Sequence, residues 1–135
     1  MFDKFNRKIN YLRISVTDRC NLRCVYCMPA EGIQLMSHDE ILSFDEIVEF
    51  VNEAVKQGID KIRITGGEPL VRKGIVDLIA MISKIEGIKD LGMTTNGIYL
   101  DKFAVQLVDA GLQRVNISLD TMNAEKFKSI TRVGD

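Results

Sequence analysis

Two rhythms of apolar residues alternate along this chain. In four short segments the period is two. Leu12, Ile14 and Val16 alternate with Arg13, Ser15 and Thr17, and Ile62 and Ile64 with Arg63 and Thr65. Leu91 and Met93 alternate with Gly92 and Thr94, and Val115, Ile117 and Leu119 with Asn116, Ser118 and Asp120. That period places each apolar set on one face of a strand, so strands are expected over 11–17, 61–65, 91–95 and 114–119. Between them the rhythm becomes helical. Phe44, Ile47, Val48, Val51 and Val55 recur at helix spacing behind Ser43 and Glu46, an S-x-x-E pair that predicts a capping box. Gly58 should end that helix. Further helices are expected over about 75–85 and 101–110, stopped by Gly87 and Gly111, and a fourth after Asn123 with Phe127 and Ile130 on one face.

Strands alternating with helix-length segments predict an α/β fold with a parallel sheet. Strands covered on both faces of such a sheet usually read as unbroken apolar runs, and these four do not. An antiparallel sheet with one wet face would explain the polar positions but not the helical crossovers. A β/α barrel whose lumen is a site explains both, and its chemistry would sit in the loops at the C-terminal ends of the strands.

Composition narrows the possibilities. The chain has 135 residues, 46% hydrophobic and 27% charged, as expected for one globular domain. Its formal net charge of −1 gives no general basic surface, so no nucleic-acid partner is expected, and anion binding falls to individually placed arginines. No apolar run is long enough for a signal peptide or a membrane span, so a cytoplasmic protein without a membrane partner is expected.

The three cysteines lie together in Cys20-Asn21-Leu22-Arg23-Cys24-Val25-Tyr26-Cys27, directly after the first strand. An odd, clustered set speaks for metal rather than disulfides. The C-x3-C-x2-C spacing suits a [4Fe–4S] cluster held by three thiolates, with one iron left open. It also suits a Cys3His zinc site with His38, the only histidine. Gly66-Gly67-Glu68-Pro69 closes the second strand, where two glycines permit positive φ or close approach of a ligand. Thr94-Thr95-Asn96-Gly97 closes the third strand. Arg72 follows the second of these motifs and reads best as a paired structural charge.

Cys-x3-Cys-x2-Cys with Tyr26 before the last cysteine, followed one βα unit later by Gly-Gly-Glu-Pro, resembles the radical S-adenosylmethionine (SAM) superfamily. Three stretches are similar to its GTP 3′,8-cyclases of molybdenum cofactor biosynthesis: 11–21, 26–32 and 61–69. The resemblance covers essentially the whole chain. It implies a partial (β/α) barrel of about four βα units out of six. Cys20, Cys24 and Cys27 would hold the [4Fe–4S] cluster, and Tyr26, Gly67 and Ser118 would bind SAM. Arg13, Arg63 and Thr94 would bind GTP, and these three lie on the polar strand face. The implied chemistry is reductive cleavage of SAM to a 5′-deoxyadenosyl radical that takes a hydrogen atom from GTP. The implied partners are GTP and an electron donor such as flavodoxin or ferredoxin, and a homodimer of the full-length protein is left open. Members of that family are more than twice as long and carry three further cysteines for a second cluster, so the chain is expected to be the N-terminal, SAM-binding part of a longer enzyme, inactive alone. Another radical SAM enzyme, such as a peptide-modifying one, and a non-catalytic zinc-binding module are the competing readings.

Overall fold

The structure, a computed structural model, describes residues 2–133, and of His38 only the backbone. Four parallel strands lie in the order of the chain, β1 (Tyr11–Ser15), β2 (Lys61–Thr65), β3 (Asp90–Thr95) and β4 (Arg114–Ile117). Every neighbouring pair is parallel, which removes the antiparallel alternative. Each crossover carries a helix: α1 (Phe44–Lys56), α2 (Ile75–Ser83) and α3 (Leu100–Asp109), with α4 (Ala124–Thr131) following β4. The architecture is α/β, part of a (β/α) barrel.

Local signals explain the element ends. Ser43 Oγ accepts the Glu46 N–H at 3.3 Å, and Glu46 Oε2 accepts the Ser43 N–H at 2.7 Å. The capping box is therefore formed, and donors that the first turn would leave unpaired are satisfied. Gly58, Gly87 and Gly111 all have positive φ, as helix stops require. Asn123 caps α4 by accepting the Lys126 N–H at 2.9 Å. β1 and β4 each end two residues earlier than their alternation predicts. One further ladder bond follows each, Val16 N–H to the Thr65 carbonyl at 2.9 Å and Ser118 N–H to the Thr95 carbonyl at 2.8 Å. Beyond these bonds the chain turns into the loops. α2 stops at Ser83, two residues before the expected end.

The apolar faces of β1, β2 and β3 pack under the helices. Ile14, Ile62, Ile64, Leu91 and Met93 meet Ile47, Val51, Leu78, Ile79, Ile82 and Leu107 in one core. No β4 residue belongs to that core. The opposite face carries the polar set in register: Arg13, Arg63, Gly92 and Arg114 form one row across the sheet, and Thr94 and Asn116 lie side by side in the next. That face and the loops above it make the site.

Candidate functional site at the C-terminal ends of the strands

The cysteine loop leaves β1 and is held by bonds within itself and by α4. Leu22 is buried, and its N–H lies 3.4 Å from Cys20 Sγ. Arg23 folds back so that Nη1 donates to the Cys20 and Leu22 carbonyls at 2.7 and 2.9 Å. The attachment to α4 is made by the N–H groups of Arg23 and Val25, which donate to the carbonyls of Thr131 and Ile130 at 3.0 and 2.9 Å. The last carbonyls of a helix have no partner within it, and here the cysteine loop supplies one for each of these two. Arg132 adds a bond from Nη1 to the Met28 carbonyl at 2.9 Å.

The Gly66-Gly67-Glu68-Pro69 turn sits against the start of this loop. Neither Gly66 nor Gly67 has positive φ, contrary to one of the two uses expected of them. What they provide is room for the chain itself. A Cβ on Gly67 would lie 2.3 Å from the Arg19 carbonyl oxygen, and one on Gly66 would lie 2.8 Å from that of Thr17. Gly67 N–H donates to Thr17 O at 2.7 Å and Glu68 N–H to Arg19 O at 2.8 Å, tying the two loops together.

Glu68 is the buried centre of the arrangement. Its Oε1 accepts from the Leu70 N–H at 3.1 Å and the Thr95 hydroxyl at 2.7 Å, while Oε2 accepts the Asn96 N–H at 2.7 Å. A buried carboxylate is tolerated where several donors satisfy it. The network continues outward, since Asn96 Nδ2 donates to Asn21 Oδ1 at 2.8 Å, beside Cys20. One carboxylate thus joins the ends of β2 and β3 to the cysteine loop. The residue-by-residue reading missed Glu68 and Asn96 as organising groups. The available signal was a charged residue followed at once by Pro69-Leu70-Val71, an apolar stretch in which it would be buried.

These loops surround a cavity of about 270 Å³. Of the nine expected site residues, Arg13, Cys20, Cys24, Tyr26, Cys27, Gly67, Thr94 and Ser118 line it. Arg63 does not; it is buried beneath, with Nη1 donating to Asn116 Oδ1 at 2.5 Å. Asp120 also lines the cavity and was foreseen only as a polar position. Its Oδ2 accepts the Tyr26 hydroxyl at 2.8 Å and so bridges the cysteine loop to the end of β4. That bond is the main reason the Tyr26 phenol is held well above its ordinary pKa. Burial pushes the Cys20 thiol up, the Leu22 N–H opposes the rise, and the nearby Glu68 charge adds to it.

Three thiols on one loop can serve as donors to an iron–sulfur cluster. Among the described residues no three His, Cys, Asp or Glu side chains are close enough together for a single metal ion. A cluster of several irons takes one thiolate per iron, so its ligands need not meet at a point. His38 lies in a short 3-10 turn, His38–Glu40, and its side chain is outside the described residues. Arg72 is structural, though held by carbonyls and a ring rather than by the paired charge expected. Nη1 and Nη2 donate to the carbonyls of Val16 and Leu42 at 2.5 and 2.6 Å, and the guanidinium stacks on Phe44 at 4.4 Å. Among the described residues no helix is long and apolar enough to cross a membrane.

The model of the radical SAM superfamily matches residues 14–135, and the chain belongs to that superfamily, whose members in general use SAM and a [4Fe–4S] cluster. Within it, the chain is 63% identical over 135 residues to a GTP 3′,8-cyclase of Thermodesulfovibrio yellowstonii, covering 99% of this chain and 42% of that protein. It is 60% identical to one from Alkaliphilus oremlandii, covering 100% and 42%. The chain thus spans about two fifths of the length of these relatives. Two solved structures share the fold. One is Streptococcus suis SuiB bound to precursor peptide SuiA, with TM-score 0.71, 21% identity, and coverage of 92% of this chain and 27% of that one. The other is BtrN in complex with AdoMet and 2-DOIA, with TM-score 0.64, 20% identity, and coverage of 92% and 51%.

Proposed function

We propose that this chain is the SAM-binding part of a GTP 3′,8-cyclase, which converts GTP to (8S)-3′,8-cyclo-7,8-dihydroguanosine 5′-triphosphate in molybdenum cofactor biosynthesis. The observation that carries the reading is the gathering of the cysteines, Tyr26, Gly67, Ser118, Arg13 and Thr94 around one cavity. Identities of 57–63% to proteins named for that activity support the substrate.

In this reading Cys20, Cys24 and Cys27 hold a [4Fe–4S] cluster, which when bound supplies the electron that cleaves SAM to the radical needed for hydrogen abstraction. Glu68 and Asn96 fix the cysteine loop against the ends of β2 and β3. Gly67 lines the cavity, and with its N–H taken by Thr17 it has its carbonyl to offer the methionine amino group of SAM. Ser118 offers a hydroxyl, and the backbone of Tyr26, steadied by Asp120, offers contacts to the adenine. Arg13, Arg63 and Thr94 take GTP on the lumen face, where guanidinium groups stay charged and give paired hydrogen bonds. The donor of the electron, a flavodoxin or ferredoxin, is an external partner in a cytoplasmic setting.

Reconstituted without oxygen, the chain should be brown and carry about four irons and four sulfides, and Cys24→Ala should abolish both colour and iron. A colourless protein with one zinc would overturn this and favour a zinc-binding module. In the protein at its full natural length, Arg13→Ala or Arg63→Ala should each weaken GTP binding by about 1.5–3 kcal/mol, while SAM cleavage without substrate persists. Wild-type GTP affinity in both variants would overturn the substrate.

A further inference from the structure

Arg63 is nine-tenths buried, yet among the described residues it has no carboxylate partner. Arg114, in the same row of the sheet, is paired with Asp90. Among the described residues the one side-chain hydrogen bond of Arg63 goes to a neutral amide, Asn116 Oδ1, on a strand two places away. Its Nε is buried with no partner at all. A buried N–H left unsatisfied is costly, and a buried guanidinium without an anion is more so.

The route of the side chain explains how it reaches Asn116. Between β2 and β4 lies β3, and the residue in register with Arg63 is Gly92. A Cβ on Gly92 would stand 3.5 Å from Arg63 Nη2 and 3.4 Å from Arg114 Cγ, so any larger side chain would fill the path. Asn116 lies one lumen-face step beyond that row, beside Thr94. Arg63 therefore leans diagonally over Gly92, toward the end of the sheet that carries the cysteines.

We infer that Asn116 is a positioning residue, holding Arg63 over Gly92 so that its Nη2 is left to meet an acceptor on the substrate. With Nη1 held by Asn116 and Nε sealed inside, Nη2 is the guanidinium nitrogen left for a ligand. It suits one oxygen of a phosphate or the O6 of a guanine. An amide at 116 is the appropriate choice. It fixes the plane of the guanidinium without neutralising the charge, whereas an aspartate would take the place of the anion.

The inference rests on the reading of Arg63 as a GTP contact, and one experiment separates the two. GTP and SAM dissociation constants and iron content are measured in the full-length, cluster-loaded protein for Arg63→Ala, Asn116→Ala, Asn116→Asp and the double alanine variant. Asn116 is exposed on β4, so its replacement leaves the core intact. Asn116→Ala should weaken GTP binding about tenfold, and Asn116→Asp, nearly isosteric, about a hundredfold. The double variant should bind no more weakly than Arg63→Ala alone, because the two side chains act as one unit. Iron content and SAM affinity should stay at wild-type values throughout. If Arg63→Ala weakens GTP binding but Asn116→Asp binds GTP like wild type, or the two alanine effects simply add, the positioning role is wrong and the substrate reading stands. Unchanged GTP affinity in Arg63→Ala would overturn both.

Discussion

β1 and β4 are the two edges of the sheet, each paired on one side only, and their sequences alternate in the same way. Their apolar faces end in different surroundings. On β1 and just beyond it, Ile14 and Val16 are buried, at 9% and 1% exposure, while on β4 Val115 and Ile117 remain 37% and 54% exposed. The cause is the helix layer. α1, α2 and α3 cover β1, β2 and β3, whereas α4 adds no residue to the core and ties its last carbonyls to the cysteine loop. Alternation therefore names the two faces of a strand, and neighbouring elements decide whether either face is dry. The chemistry follows the opposite rule, because Ser118 and Asp120 at the exposed end of β4 line the same cavity as residues beside the core.

That contrast can be tested on stability. Ile64 is fully buried on β2, so Ile64→Ala should cost about 2–5 kcal/mol, while Ile117→Ala on β4 should cost about 0.5 kcal/mol or less. Denaturant titration of both variants measures the difference, and equal losses would show that β4 is covered as β1 is. A smaller effect is expected from Gly67→Ala. Its Cβ would press on the Arg19 carbonyl at 2.3 Å, and overpacking of this kind costs about 1–3 kcal/mol. Because the strain falls on the cysteine loop, iron uptake on reconstitution should fall further than the melting temperature suggests.

The edge itself makes a third prediction. A strand with free backbone groups and apolar side chains is a template for pairing, so the 135 residues on their own should self-associate. Ile117→Lys should shift light scattering toward the monomer. The corresponding change on β1, Leu12→Lys, should instead destabilise the fold, since Leu12 packs against the core. The smallest effect belongs to the α1 capping box. The Ser43 N–H holds the Glu46 carboxyl below its ordinary value of 4.5. Its contribution is complete above that value and is lost as pH falls through the lowered folded value. Acid titration should show a small loss of stability there that is absent in Glu46→Gln.

Much of the candidate site could be read from residue order. The C-x3-C-x2-C loop, the Gly-Gly-Glu-Pro turn and Ser118 each follow a strand that its own alternation announces, and parallel strands bring all such loops to one end of a sheet. Their gathering around one cavity follows from that topology. Arg63 lies on the expected polar face but beneath the cavity, and its path toward Asn116 depends on its register partner: Gly92 leaves room that no property of Arg63 predicts.

What the sequence determined alone is local: strand and helix periods, the Ser43–Glu46 cap, the glycine stops, and the set of thiol donors. These depend on residues within a few positions of one another. Tertiary structure decided the rest. It made Glu68 the shared acceptor of Thr95 and Asn96, set α4 against the cysteine loop, and joined Tyr26 to Asp120 across 94 residues. Each of these is a hydrogen bond between groups whose separation along the chain carries no information about their separation in space. Only the packing of the sheet beneath them, which fixes strand order and register, brings donor and acceptor together.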